Sequence, residues 1–199
     1  MTSLEKQRMV HRFSYTWPLY VILPVLTAFL LSFIFGIVHR VPNYKTLTIF
    51  VSGEVTDVDK LKDDMLTRFK EKEIKTFSSI SSLPNETTYY TKLSVAGYNS
   101  SDVLILPLSV AEERDVSVFS LDLSNELKTL YTGYSFYNQN DVSYGIKIDK
   151  EKVKQYMTLP SEDCYMFLNG GSENIGEYSL KNTDKNHDMA IQLVKDWGM

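Results

Sequence analysis

From Trp17 to Val38 the chain reads WPLYVILPVLTAFLLSFIFGIV, 22 residues without a charge. At about 1.5 Å per residue a helix of this length covers roughly 33 Å, enough to cross a bilayer core of about 30 Å. A buried core helix would be shorter and less uniform. Trp17 and Tyr20 sit where an interfacial aromatic belt is expected, and His39 and Arg40 end the run. Pro18 lies at the start, where a helix loses little, while Pro24 is expected to kink or loosen the first turns. A cleaved signal peptide fits less well: the run exceeds the usual apolar region of such peptides and no clean small-x-small cleavage site follows. A lipid-attachment cysteine is absent too, since Cys164 is the only cysteine. The expectation is an uncleaved signal-anchor: a tail over 1–16, a transmembrane helix over 17–38, a spacer over 39–45 and one domain over 46–199.

Lys6, Arg8 and Arg12 precede the apolar run against a single Glu5, and Arg40 and Lys45 follow it. The positive-inside rule therefore favours a cytoplasmic N-terminus, with the large domain extracytoplasmic and the chain a single-pass protein of the cell membrane. Residues 41–199 hold 17 Lys and Arg against 24 Asp and Glu, a formal charge of −7. That balance excludes a general nucleic-acid binder, whose phosphate contacts need a basic face. One cysteine allows no internal disulfide. Asn85-Glu86-Thr87 and Asn99-Ser100-Ser101 match the glycosylation pattern but read most simply as surface turns.

Thr46–Val51 is predicted as a strand, rich in β-branched and aromatic residues. Thr56 and Asp59 offer a capping-box-like start to a helix whose Val58, Leu61, Met65 and Phe69 recur at spacings of three and four, an amphipathic pattern with one buried stripe. Ile74–Ile80 is a second, weaker strand. Tyr89, Leu93 and Ala96, or Tyr90, Leu93 and Gly97, mark a helix face, with Gly97 or Asn99 as its terminator. Asp102–Leu106 is a continuous apolar strand of the kind buried on both faces of a parallel sheet. Strand, helix, strand, helix, strand within about 60 residues reads as consecutive βαβ units, so the fold class is α/β, doubly wound. In the second half Asp115–Phe119 reads as a short strand and Ser124–Tyr131 as a short helix. Tyr134–Tyr137 and Val142–Ile148 form a hairpin around Asn138-Gln139-Asn140-Asp141, Asp163–Leu168 is a strand, and Asp184–Trp197 is a closing helix.

Catalytic residue types are sparse. His187 is the one histidine beyond the spacer, and no HExxH, paired cysteine or calcium-loop spacing is present. Asp57 and Asp59 are explained as helix-start acids. Ser52 in VSGEV lacks the second glycine of a nucleophile elbow, and Cys164 reads as a small buried hydrophobe. The expectation is a protein that is not an enzyme and needs neither metal nor cofactor. A binding site is easier to place. In open α/β sheets ligands gather beyond the carboxyl ends of the strands, near helix N-termini. That edge would carry Ser52, Gly53 and Glu54, then Ser81 and Ser82, then Pro107 to Ser109. Tyr134, Tyr137 and Tyr144 could stack on a sugar or peptide, or be ordinary cross-strand pairs.

TLTIFVSGEV, the amphipathic helix and YYTKLSVAGYNSSDVLILPLS together resemble the N-terminal lobe of bacterial extracellular solute-binding proteins of ABC importers, the sugar-binding type especially. YNQNDVSYGIKI followed by CYMFLNGGSENIG is similar to the segment where such proteins run through a Tyr-rich hairpin toward their second lobe. The resemblance implies a periplasmic-binding-protein-like lobe with its ligand edge at the strand ends. It also implies a solute such as a sugar or short peptide, and an importer permease or other membrane protein as partner. Members of that family close two full lobes on a solute and commonly carry a lipid on an N-terminal cysteine. Here there is room for about one lobe, and a transmembrane helix stands where the lipid would be. Two functions follow as expectations: an accessory or solute-binding component of an importer, or a protein-interaction or sensor subunit of an envelope complex with no solute binding of its own.

Overall fold

The computed structural model describes residues 3–38, 41, 45–69, 74–123, 133–172, 174 and 192–199. It separates into two compact units, Met1–Arg40 and Val41–Met199. The first is one helix, α1 (Ser3–Val38), which begins well before the expected start and contains both Pro18 and Pro24. Thr27 donates its hydroxyl to the Leu23 carbonyl at 2.7 Å within the turns around Pro24. Its segment Thr16–Ile37 has a mean hydropathy of 2.4, and none of it is buried, so it is long and apolar enough to cross a bilayer.

The second unit is a mixed α/β domain. In chain order its first half comprises β1 (Thr46–Ser52), β2 (Glu54–Val55), α2 (Val58–Arg68), β3 (Thr76–Ser82) and α3 (Tyr89–Lys92), which runs on as π-helix over Leu93–Tyr98; β4 (Val103–Pro107) and α4 (Leu108–Glu112) follow. The second half comprises β5 (Phe136–Gln139), β6 (Val142–Lys147), α5 (Lys150–Val153), β7 (Met157–Thr158), β8 (Cys164–Leu168) and a last helix, α6, over 192–197. Six strands form one sheet in the order β3-β1-β4-β8-β6-β5, and β2 pairs with β7 in a small antiparallel ribbon. β3, β1 and β4 are parallel, as the βαβ pattern requires. The later strands join antiparallel, β8 against β4 and β6 against β8.

Period-two alternation sorts each central strand between two cores. Leu47, Ile49, Val51, Val103, Ile105, Met166 and Leu168 face one side, with Leu61, Met65 and Phe69 of the α2 region. Phe50, Leu104, Leu106 and Phe167 face the other, with Tyr89 and Leu93 of α3 and its extension. Successive helices thus cover opposite faces, the doubly wound arrangement. The second core also holds a tight aromatic stack, Tyr98 on Phe119 with ring centres 4.3 Å apart.

Five local expectations are corrected. The cap of α2 is Asp57, whose carboxylate accepts from Lys60 N–H at 2.9 Å, and Val58 is exposed rather than part of the stripe. β3 lies two residues later than expected, because its seven-rung register with β1 extends through Ser81 and Ser82. Residues 116–118 form a 3₁₀ turn, not a strand, since Asp115 accepts from Ser117 N–H and bends the chain there. Gly97 does not end the helix: it lies inside the π-helical segment, where a methyl would meet Leu93 Cδ1 at 2.9 Å and Leu104 Cδ2 at 3.3 Å. Its lack of a side chain lets the helix seat on the sheet. The hairpin turns on Asn140 and Asp141, both with positive φ, at 53° and 65°, the primed-turn geometry such a hairpin needs. In α6, Leu193, Val194 and Trp197 are buried as their spacing implies. The helix expected over Ser124–Tyr131, residues 184–191 and His187 lie outside the described residues.

Candidate functional site

The carboxyl edge of the parallel strands gathers some of the expected residues. Ser52 and Ser82 stand opposite each other in register, and Gly53 N–H donates to the Ser82 carbonyl at 3.1 Å. Ser52 is fully buried, its hydroxyl 2.5 Å from the Tyr89 hydroxyl. Burial pushes the Tyr89 phenol up, and the Ser52 hydrogen bond opposes that only in part. Ser82 donates to Glu86, which also takes Leu83 N–H and the Lys92 ammonium at 2.8 Å. Lys92, then Ser82 and Leu83, hold the Glu86 carboxyl at about 2, well below its ordinary 4.5. A lowered carboxyl contributes its stabilisation above the ordinary value and loses it as pH falls toward the folded one. A Glu86 carboxyl resonance titrating near 2, moved upward by Lys92→Ala, is therefore expected by NMR.

Ser81 is exposed on β3, and Glu54 is exposed on β2 opposite Thr158. Pro107 is buried at the end of β4. Tyr144 is not brought to this edge: it lies on β6, level with the start of β4 and separated from it by β8. Tyr137 donates its hydroxyl to the Ala111 carbonyl at 3.1 Å and packs edge-on against Phe167, so it is core.

The crevice beyond this edge is occupied by the chain's own residues 157–163. A methyl on Gly53 would lie 2.5 Å from the Thr158 carbonyl oxygen. Leu108 N–H donates to the Asp163 carbonyl at 2.8 Å, and Ser109 binds Glu162 through both its N–H (2.9 Å) and hydroxyl (2.8 Å). Lys150 Nζ gathers the loop by donating to the carbonyls of Pro160 (2.6 Å), Ser161 (2.7 Å) and Glu162. Lys150→Met removes all three bonds, with exposure reducing their worth. A loss of about 1–2 kcal/mol in urea unfolding is expected, with new protease cleavage within 159–163.

An open pocket of about 340 Å³ lies at the opposite, amino edge, lined by Thr46 and Thr48 of β1, Asn99 to Asp102, and Asn169, Gly171, Ser172 and Asn174 after β8. Asp102, only 6% exposed, organises it. Its carboxyl accepts from Thr48 N–H (2.7 Å), Ser172 hydroxyl (2.5 Å) and Asn174 Nδ2 (3.1 Å). Asn174 Nδ2 also donates to the Thr46 carbonyl at 2.8 Å. Asn169 Nδ2 bridges the carbonyls of Tyr98 (2.8 Å) and Ser101 (2.6 Å), tying the end of the π-helix to the end of β8. The widened π turn leaves carbonyls for side chains five residues on: Asn99 donates to Ser94 and Ser101 to Ala96. Outside the Asp102 network the wall is built of hydroxyls and amides, which suits a neutral hydrogen-bonding group.

Sequence reasoning placed no ligand here. Its traces in the sequence are two small polar clusters at strand ends, Asn99-Ser100-Ser101, which reads as a surface turn, and Asn169-Gly170-Gly171-Ser172, which follows an apolar strand. Cys164 is buried, and burial pushes its thiol up to about 11.

No protein-family model matches the chain, and no curated protein does. Among solved structures it is similar to an ABC substrate-binding protein from Listeria monocytogenes in complex with cycloalternan, at 16% identity and a TM-score of 0.32. The match covers 55% of this chain and spans 32% of that protein.

Proposed function

We propose that the chain is a membrane-anchored, extracytoplasmic, binding-protein-like domain that acts as an accessory or solute-binding component beside an ABC-type importer. The observation that carries the binding role is the amino-edge pocket, a hydroxyl- and amide-lined cavity built on a buried carboxyl network. Its lining favours a neutral, hydrogen-bonding solute such as a sugar or short peptide over a charged one. The unburied apolar segment of α1 supports the anchor, and the basic residues before it support a cytoplasmic N-terminus. The importer association is supported by the sequence resemblance of 46–109 to solute-binding proteins. This reading assigns no catalytic step and no cofactor.

A second reading, a protein-interaction or sensor subunit with no solute of its own, is favoured by one observation: residues 157–163 already occupy the crevice where a strand-end ligand would sit. The test is thermal shift of the full chain in nanodiscs against sugars and short peptides. Ser100→Trp serves as a variant that fills the pocket from an exposed position. Stabilisation of wild type but not Ser100→Trp supports solute binding. No shift with any solute, with stoichiometric co-purification of a membrane protein, selects the second reading.

A further inference from the structure

The amino-edge pocket has a hydrogen-bonding polarity that its residue types alone do not reveal. A hydroxyl owns one hydrogen and two lone pairs, and a side-chain amide owns two N–H hydrogens and a carbonyl oxygen. Where the partner is a carbonyl or a carboxylate, which only accepts, the direction of the bond is fixed. Ser101 gives its hydrogen to the Ala96 carbonyl (2.8 Å), Ser100 more weakly to the Val95 carbonyl (3.4 Å), and Ser172 to Asp102 (2.5 Å). Asn169 spends its N–H groups on the carbonyls of Tyr98 and Ser101, and Asn174 spends its own on the Thr46 carbonyl and Asp102. The π turn causes much of this. By widening the helix it opens the carbonyls of residues 94–96 to side chains five residues on, and so draws the donors of residues 99–101 inward. Along this wall hydrogens are committed to the protein, and lone pairs are what a ligand meets.

We infer that this pocket selects its ligand by the hydrogens the ligand donates: it takes a neutral solute with several adjacent hydroxyls and rejects one that offers acceptors alone or a carboxylate. The inference rests on the solute-binding reading of the pocket and narrows it. Each ligand hydroxyl can give its hydrogen to a lone pair of the wall. Its oxygen can accept in turn from the second N–H of exposed Asn99, whose first holds the Ser94 carbonyl, or from the Thr48 hydroxyl. A carboxylate would set lone pairs against lone pairs next to the buried Asp102 carboxyl. No lysine or arginine lines the pocket to offset that, and acceptors stripped of water without a donor are costly.

Isothermal titration of the full chain in nanodiscs tests it with glucose, galactose, mannose and myo-inositol, then with the monodeoxyfluoro analogues of whichever binds tightest. Fluorine stands in for a hydroxyl at nearly the same size and donates no hydrogen. At least one analogue binding about tenfold or more weakly than its parent, with sodium acetate giving no binding heat, supports the inference. Ser100→Lys places a donor at an exposed wall position. It should weaken the parent polyol at least fivefold and admit acetate, with the melting temperature unchanged. Analogues that all bind as tightly as the parent, or acetate that binds wild type as tightly, overturn the inference and leave solute binding standing. A Ser100→Lys variant that titrates as wild type does places the polyol elsewhere and overturns it as well. No heat from any polyol also overturns it, and the short peptides of the thermal-shift panel then decide separately whether solute binding survives.

Discussion

Asp102→Ala is expected to unfold the domain more readily by about 3–5 kcal/mol, a fall of roughly 8–15 °C in melting temperature, measured by urea and thermal unfolding of the full chain. The carboxyl is 6% exposed and receives Thr48 N–H, the Ser172 hydroxyl and Asn174 Nδ2. Truncation removes the shared acceptor of three donors, of which Asn174 Nδ2 keeps the Thr46 carbonyl, and each buried donor left stranded costs about 1–3 kcal/mol, incompletely additive because they share one site. Asp102→Asn keeps the shape and one carbonyl acceptor but turns an amide N–H₂ toward a donor, so it should lie between wild type and alanine. The effect reaches the pocket because Thr48, Ser172 and Asn174 line it. Any ligand-induced stabilisation should disappear in Asp102→Ala even at temperatures where the domain remains folded. A loss below about 1 kcal/mol would mean that the network is not what holds these three segments together.

The α/β alternation was legible because its signal is local. Leu61, Met65 and Phe69 repeat at helical spacing, and residues 103–107 are all buried, as a continuous apolar run implies. What escaped was set by partners far along the chain. The antiparallel entry of β8 beside β4 depends on pairing across some 60 residues, and nothing within CYMFL encodes its direction. Ser81 and Ser82 have little strand propensity, yet they complete β3 because Val51 and Ser52 lie opposite. Tyr89 was legible as a helix-face residue, but its hydroxyl contact with Ser52, 37 residues away, was not. The pocket is the extreme case, with Thr46 and Asn174 joined across 128 residues. Polar residues that satisfy one another at a distance leave only the appearance of turns in a linear reading.

The second large effect lies on β8, where Phe167 and Gly145 form one packing unit. Phe167 is fully buried between Phe119 and Tyr137, with ring centres 6.0 and 5.6 Å away, and it stands opposite Gly145 in the β6–β8 register. A methyl on Gly145 would lie 2.7 Å from Phe167 Cε1 and 3.0 Å from Cζ, so the glycine exists to admit the ring. Phe167→Ala is expected to cost about 3–5 kcal/mol through lost burial and the cavity left behind. Gly145→Ala should cost about 1–3 kcal/mol through overpacking against a ring with no space to retreat. The double variant should be less destabilised than the two costs added, by at least about 1 kcal/mol, because the new methyl enters the vacated ring space. Urea unfolding of all four proteins measures this, and strict additivity would sink the explanation. Asn169, which closes the pocket by bridging Tyr98 and Ser101, follows Phe167 by two residues on the same stretch of chain. Loosening β8 should therefore weaken any ligand-induced stabilisation in Phe167→Ala, with part of it recovered in the double variant, linking the second core to the site.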